Sequence, residues 1–180
     1  MGVGPLAGPV LAAAVILPKS TRLLGVDDSK KLSVARRVSL SKLIKDEAIA
    51  YAYGQCDSNE IDALNIYQAS RVAMFRAISN LDVVPQHILV DARRIPHTNL
   101  PQTNMIRGDS RSQSIAAASI LAKTARDKIM EDFEQTYPGY GFAKHKGYGT
   151  GQHLEALRIL GPTSIHRESF TPVATARALH

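Results

Sequence analysis

The chain has 180 residues, 44% of them apolar, which is enough for one domain with a real core. A net charge of +6 and a pI near 9.6 favour a polyanionic partner, while the absence of tryptophan argues against an aromatic platform for single strands. The longest apolar stretch, Val10–Leu17, is far shorter than the ~18 residues of a membrane span. No secretory signal pattern opens the sequence, and Cys56, the single cysteine, excludes an internal disulfide and a cysteine-based zinc site. A cytoplasmic protein away from membranes is expected.

Taken in chain order, Gly2–Pro9 is a glycine and proline turn that leads into a strand over Val10–Leu17. A loop with the charged cluster Asp27-Asp28-Ser29-Lys30-Lys31 follows, and Ser33 is placed to cap a helix running to about Glu47. Ile49, Tyr51 and Tyr53 alternate with small residues and predict a second strand. Ile61, Leu64, Tyr67, Val72, Phe75 and Ile78 keep near-helical spacing over Asn59–Leu81, with Asp57 or Ser58 as the cap. His87–Val90 is a short strand ending on Asp91, and Met105-Ile106 is another ending on Asp109. A long helix spans Ser114–Phe133, and a further one about Gln152–Leu160. Strands alternating with helices predict an α/β protein with one domain over residues 1–180.

A carboxylate that closes a strand can simply cap the next turn. Two of them on adjacent strand ends would repel without a cation between them, and hard oxygen donors of this kind suit Mg²⁺ or Mn²⁺. Asp91 and Asp109 are therefore the candidate metal ligands and catalytic residues. His145, His153 and His166 have a spacing that fits no zinc pattern. Gly2–Pro9 is a poor nucleotide loop, because it lacks a Gly-Lys-Ser/Thr ending and precedes a strand.

Five separated segments carry a resemblance to a known family. They are Gly4-Pro5-Leu6-Ala7-Gly8-Pro9 before Ala12–Leu17; Asp28-Ser29-Lys30-Lys31-Leu32-Ser33; and Glu60-Ile61-Asp62 with Asn65-Ile66 and Gln68-Ala69. The fourth is Gly108-Asp109-Ser110 before Ser114–Lys123 and Arg126-Asp127, and the fifth is His145–Thr150 with His153, His166-Arg167 and Ser169-Phe170. Together they resemble bacterial ribonuclease HII over nearly the whole chain.

The resemblance implies a ribonuclease H-like fold: a mixed five-stranded sheet flanked by helices, with a helical C-terminal extension. It implies an endoribonuclease of RNA/DNA hybrids and of ribonucleotides embedded in duplex DNA, acting as a monomer through two divalent cations, Mn²⁺ or Mg²⁺. Four carboxylates would hold the metals. Asp91 and Asp109 stand at the third and fourth positions, with Asp91 in an Asp91-Ala92-Arg93-Arg94 setting where Asp-Gly-Asn-Arg is commoner. The first two come from an Asp-Glu-x-Gly-Arg-Gly pattern, which Gly2 and Gly4 join at its glycines, with Val3 replacing the arginine. That alignment sets the Asp-Glu pair and the first, central strand before residue 1, so the chain reads as an N-terminally shortened member. The remaining residues carry no visible lesion, which favours a start placed too late over a defective copy that only binds hybrids.

The resemblance also assigns substrate contacts. The backbone of Gly2, Val3 and Gly4 would sense the ribose 2′-hydroxyl, and the Tyr148 ring would pack on the sugar beside the target ribonucleotide. Lys30, Lys31, Lys144, Lys146 and Arg167 are candidate phosphate contacts.

Overall fold

The computed structural model of the protein describes residues 1–23, 25, 26, 29, 32–91 and 94–180. Its elements are β1 (Val10–Ile16), α1 (Val34–Glu47), β2 (Ala50–Cys56), α2 (Ser58–Leu64), α3 (Ile66–Ser79), β3 (Ile88–Asp91) and β4 (Gln102–Met105). A single 3₁₀ turn, Gly108–Ser110, then precedes α4 (Gln113–Thr136), α5 (Phe142–His145), α6 (Gly151–Leu160) and α7 (Thr171–Arg177). The α/β class is as expected.

Backbone contacts divide the chain into two compact units. The first holds Met1, Leu11–Gln55 and Arg71–Thr124; the second holds Gly2–Val10, Cys56–Ser70 and Ala125–His180.

In the first unit β1 pairs with β2, and β3 pairs with β4 in parallel. Among the described residues the four strands form two separate two-stranded sheets, not the continuous five-stranded sheet that was expected. Met1 already touches the edge of β1. Its carbonyl accepts from Leu11 N–H at 3.0 Å and its amino group donates back to the Leu11 carbonyl at 2.6 Å, the reciprocal exchange of an antiparallel pair. One core of this unit joins Leu40 and Ile44 of α1 to Ala117, Ile120 and Leu121 of α4, with Ala13 and Val15 of β1 against it. Another packs Ile88 and Val90 of β3 with Ile95 against Met74, Phe75 and Ile78 of α3.

Local chemistry explains where these elements begin. The Ser33 hydroxyl accepts from Arg36 N–H and caps α1. Asp57, rather than Ser58, caps α2, in a reciprocal capping box with Glu60. The helix expected to run unbroken over Asn59–Leu81 instead stops at Asn65, whose φ is 66°. Asparagine tolerates that conformation, and its Oδ1 accepts from Gln68 N–H at 3.0 Å, so a second helix starts there. In β2 the small residues Ala50, Ala52 and Gly54 face inward, while Tyr51 faces solvent with the Lys45 ammonium over its ring. The reason is a close approach: a Cβ on Gly54 would lie 2.2 Å from the Ala73 carbonyl oxygen.

The second unit is built around Leu6, Ala7, Met130, Tyr140, Phe142, Leu157 and Val173. It contains α5 and α7, which have no clear periodicity in the sequence and complete the expected helical C-terminal part.

Candidate active site

Parallel pairing sets β3 and β4 side by side with Asp91 opposite Met105. Asp91 is the last residue of β3 and its side chain is exposed. The second carboxylate is reached differently from the expected strand end. β4 stops at Met105, Ile106 is 77% exposed, and Arg107 takes a left-handed conformation with φ 54°. That reversal starts the 3₁₀ turn on which Asp109 sits, half-buried. The turn is tied to β3 by one specific bond, from Gly108 N–H to Asp91 Oδ1 at 3.0 Å. Asp109 follows Gly108 directly, so the two aspartates share one small neighbourhood at the C-terminal end of the β3–β4 pair. A Cβ on Gly108 would meet Ile115 Cδ1 at 2.6 Å and approach Asp91 Oδ1 at 3.4 Å, which leaves glycine as the residue that fits the linking position.

Carboxylate oxygens are hard donors and suit Mg²⁺ or Mn²⁺. Among the described residues no group of three or more His, Cys, Asp or Glu side chains is gathered closely enough to hold a metal ion. Two aspartates on their own do not make up a complete metal-ligand set.

The second unit carries the other sequence-derived residues. Val3 and Gly4 are exposed, and Gly2 is buried with φ 87°, its Cα packed so closely on Arg126 that a Cβ would lie 2.3 Å from Nε. A Cβ on Gly4 would lie 3.8 Å from Cε1 of Tyr148, so Gly4 and the Tyr148 ring are neighbours. Tyr148 is 43% exposed, yet its main chain is held at both polar groups. Its N–H donates to the His145 carbonyl, and its own carbonyl accepts from His153 Nδ1 at 3.0 Å and Thr150 N–H at 2.8 Å.

The bond from His153 begins a directed relay. A carbonyl only accepts, so His153 Nδ1 carries the proton and its Nε2 is bare. His166 Nε2 lies 3.0 Å from that bare nitrogen and donates to it, while His166 Nδ1 accepts from Thr163 N–H at 2.9 Å. Both rings are neutral in this arrangement. Burial pushes His153 down to about 4 and His166 down to about 3, with His145 adding to the first and His153 and Arg177 to the second. His145 stacks on His153 at 4.6 Å between centroids, donates from Nε2 to the Tyr140 carbonyl and accepts from Gly147 N–H. The three rings are thus held by hydrogen bonds to the main chain and to one another.

The basic residues divide. Lys146 is bound to Glu131 at 2.7 Å and to the Ala143 carbonyl, so a phosphate would have to compete with Glu131 for it. Lys144 is exposed. Lys30 and Lys31 lie outside the described residues, as does Arg93. Arg167 departs from the expected phosphate contact: it is 0% exposed and donates only to main-chain carbonyls and no phosphate can reach it. Arg126 is buried in the same way. In the sequence Arg126 figures only within a matching segment and is given no role; the available signal was its register with Ala122 and Met130 on the inward face of α4. Asp62, likewise only part of a matching segment in the sequence, has a carboxylate that accepts from Glu168 N–H, Ser169 N–H and the Ser169 hydroxyl.

A family model described as ribonuclease HII matches residues 1–173 of the chain. The chain belongs to the ribonuclease HII family. It is 54% identical to the ribonuclease HII of Myxococcus xanthus over 179 residues, 99% of this chain but 61% of that protein's length. Among solved structures it is similar to the ribonuclease H2 of Pyrococcus horikoshii, with a TM-score of 0.84, 24% identity, and coverage of 99% of this chain and 94% of the other. It is also similar to the ribonuclease HIII called Bst-RNase HIII, solved in complex with Mn²⁺, with a TM-score of 0.69, 18% identity, and coverage of 99% and 67%. At those identities the structural matches show the fold, which is the ribonuclease H type.

Proposed function

We propose that this ribonuclease HII family member is an endoribonuclease that hydrolyses the RNA strand of RNA/DNA hybrids and cuts at ribonucleotides embedded in duplex DNA, leaving a 3′-hydroxyl and a 5′-phosphate. The observation that carries this reading is the Asp91–Gly108–Asp109 junction in a chain of this family. It holds two carboxylates at the end of two parallel strands, where α/β sheets commonly bind ligands. The Mn²⁺ in the ribonuclease HIII of the same fold supports a divalent cation there.

A divalent cation held by Asp91 and Asp109 would supply activation of a water and stabilisation of the leaving oxygen in phosphodiester hydrolysis. Asp91 would be one ligand of a divalent cation, its carboxylate oriented by the bond that Gly108 N–H donates to Oδ1. Asp109, on a rigid turn, would supply the second anionic ligand. Two aspartates leave further coordination to water, to phosphate oxygens and to the Asp-Glu pair that the family pattern places ahead of Gly2. In the second unit, Val3 and Gly4 offer main-chain groups to a 2′-hydroxyl, and Tyr148 offers a ring face to the sugar. The net charge of +6 attracts the duplex as a whole.

The test is cleavage of a duplex carrying one ribonucleotide in Mn²⁺ or Mg²⁺, by the chain and by a version preceded by a strand ending in Asp-Glu. The extended version is expected to cut with the stated ends and the chain alone far more slowly. No cleavage by either, with any hybrid, would overturn the reading.

A further inference from the structure

We propose that Arg126 and Arg167 are positioning residues that lock the Gly2–Pro9 loop in the one conformation able to tell ribose from deoxyribose. The proposal rests on the reading above that Val3, Gly4 and Tyr148 meet the sugar.

Both guanidiniums are essentially out of solvent, at 1% and 0% exposure, and every hydrogen bond they donate goes to a main-chain carbonyl. Arg126 donates to Pro9, Ala7 and Lys146. Arg167 donates from Nε and one terminal nitrogen to Gly8, and from its terminal nitrogens to Gly2, Val3 and Pro5. The Arg167 main-chain N–H takes the Leu6 carbonyl as well. Burial lowers both groups, Arg167 to about 9, and the charge of Arg126 pushes Arg167 the same way. Asp62 acts on Arg167 in the opposite sense, but its oxygens bond to Glu168 and Ser169.

A buried cation is normally matched by a carboxylate. Here converging carbonyl dipoles take that place, and the dependence runs both ways. If a loop carbonyl turned outward it would leave a buried charge short of an acceptor, so the loop cannot change shape cheaply. Gly2, Val3, Pro5, Leu6, Ala7, Gly8 and Pro9 all have their carbonyls engaged by these two residues. The Gly4 carbonyl is left, together with the N–H groups of Val3 and Gly4, free of protein partners among the described residues. These belong to the exposed part of the loop beside Tyr148. A 2′-hydroxyl both donates and accepts, so it can use this pair of functions and a deoxyribose cannot. Lysine would keep the charge but not the planar fork that spans several carbonyls.

The test measures binding of the chain, in EDTA, to a duplex with one ribonucleotide and to the same duplex made only of DNA. Arg126→Lys and Arg167→Lys are compared with Ile44→Ala, a core variant of the other unit that lowers stability without touching the loop. Wild type and Ile44→Ala are expected to favour the ribonucleotide duplex equally. The arginine variants are expected to lose that preference by roughly tenfold, the worth of about one hydrogen bond, while still binding plain DNA. In parallel, the amide resonances of Gly2, Gly4 and Gly8 are expected to be single in wild type and to broaden or split in both arginine variants. If Arg167→Lys does not fold, Arg126→Lys carries both measurements. A wild type without preference overturns the sugar-sensing reading and this role with it. A wild type with preference, whose folded arginine variants keep both the preference and the loop resonances, overturns the clamp alone. An equal loss of preference in Ile44→Ala overturns it too.

Discussion

His153 and His166 face each other through their Nε2 atoms at 3.0 Å, with a single proton between them. The pair works only while both rings are neutral, because an imidazolium has no nitrogen left to accept. An unfolded histidine takes up its proton near 6.5, whereas in the folded chain His153 waits until about 4 and His166 until about 3. Between those values the unfolded state binds more protons, so acid favours unfolding. The contribution is complete above pH 6.5, declines as pH falls through the window, and is exhausted near pH 3. The two steps belong to the coupled pair rather than to either ring. Denaturant midpoints measured from pH 7.5 to 4 are expected to fall for wild type and to fall less for His166→Gln, which removes one titrating ring. Parallel slopes would mean that the relay does not exist.

Gly54 is expected to be intolerant of any side chain. A Cβ there would lie 2.2 Å from the Ala73 carbonyl oxygen and 2.3 Å from Ala77 N, both backbone atoms of α3 that cannot swing aside. Gly54→Ala is predicted to cost about 1–3 kcal/mol, which for a chain of this size lowers the melting temperature by roughly 2–4 °C per kcal/mol. Gly151, with nothing within 4 Å of its added Cβ, is the control, and Gly151→Ala is expected to be neutral or slightly stabilising. Equal melting temperatures for the two variants would show that β2 and α3 are not in close contact.

The elements of this fold differ in how far the sequence announces them. The strand before Asp91 is legible because Ile88 and Val90 alternate into the core and a carboxylate follows. The capped starts of α1 and α2 are legible because Ser33 and Asp57 have the chemistry a cap needs. The turn under Asp109 is not legible: it depends on Arg107 adopting positive φ, which an arginine does not signal. The alternation of Tyr51 and Tyr53 with small residues announces β2, but not that Gly54 must be glycine, which follows only from the close approach of α3. Arg126 and Arg167 are the hardest, since an arginine far from any loop in sequence reads as a surface or phosphate-binding group. Their role appears only when the carbonyls of Gly2–Pro9 are folded onto them.

Asp91→Asn is a clean probe of the carboxylate's charge. Asparagine keeps an Oδ1 that can accept from Gly108 N–H, so the 3₁₀ turn and Asp109 stay in place. What is removed is one negative charge from the proposed cation ligands, worth several kcal/mol. In the version carrying an N-terminal Asp-Glu strand, hybrid cleavage is predicted to drop at least roughly 100-fold, with Mn²⁺ binding by calorimetry weakened in step and thermal stability unchanged. Full activity in a folded Asp91→Asn protein would take this residue out of the metal site.

Tyr148 can be tested more selectively than most site residues, because its ring and its main chain do different work. The main chain is fixed by the His145 carbonyl, His153 and Thr150, bonds that any residue at this position can make. The ring is 43% exposed and beside Gly4. Tyr148→Ala therefore leaves the relay intact and should barely move the melting temperature. It removes an apolar face that a sugar would otherwise cover, a loss of about 1–2 kcal/mol of binding, or roughly tenfold. A single ribonucleotide in DNA offers only one sugar of the kind this ring is proposed to select, whereas a long RNA stretch offers the protein many equivalent registers. In the version with the Asp-Glu strand, Tyr148→Ala is predicted to slow cleavage at a single ribonucleotide about tenfold more than cleavage within a long RNA stretch. Tyr148→Phe, which keeps the ring, is predicted to preserve the wild-type ratio. If alanine lowers both rates equally, or if phenylalanine behaves like alanine, the ring does not select the sugar.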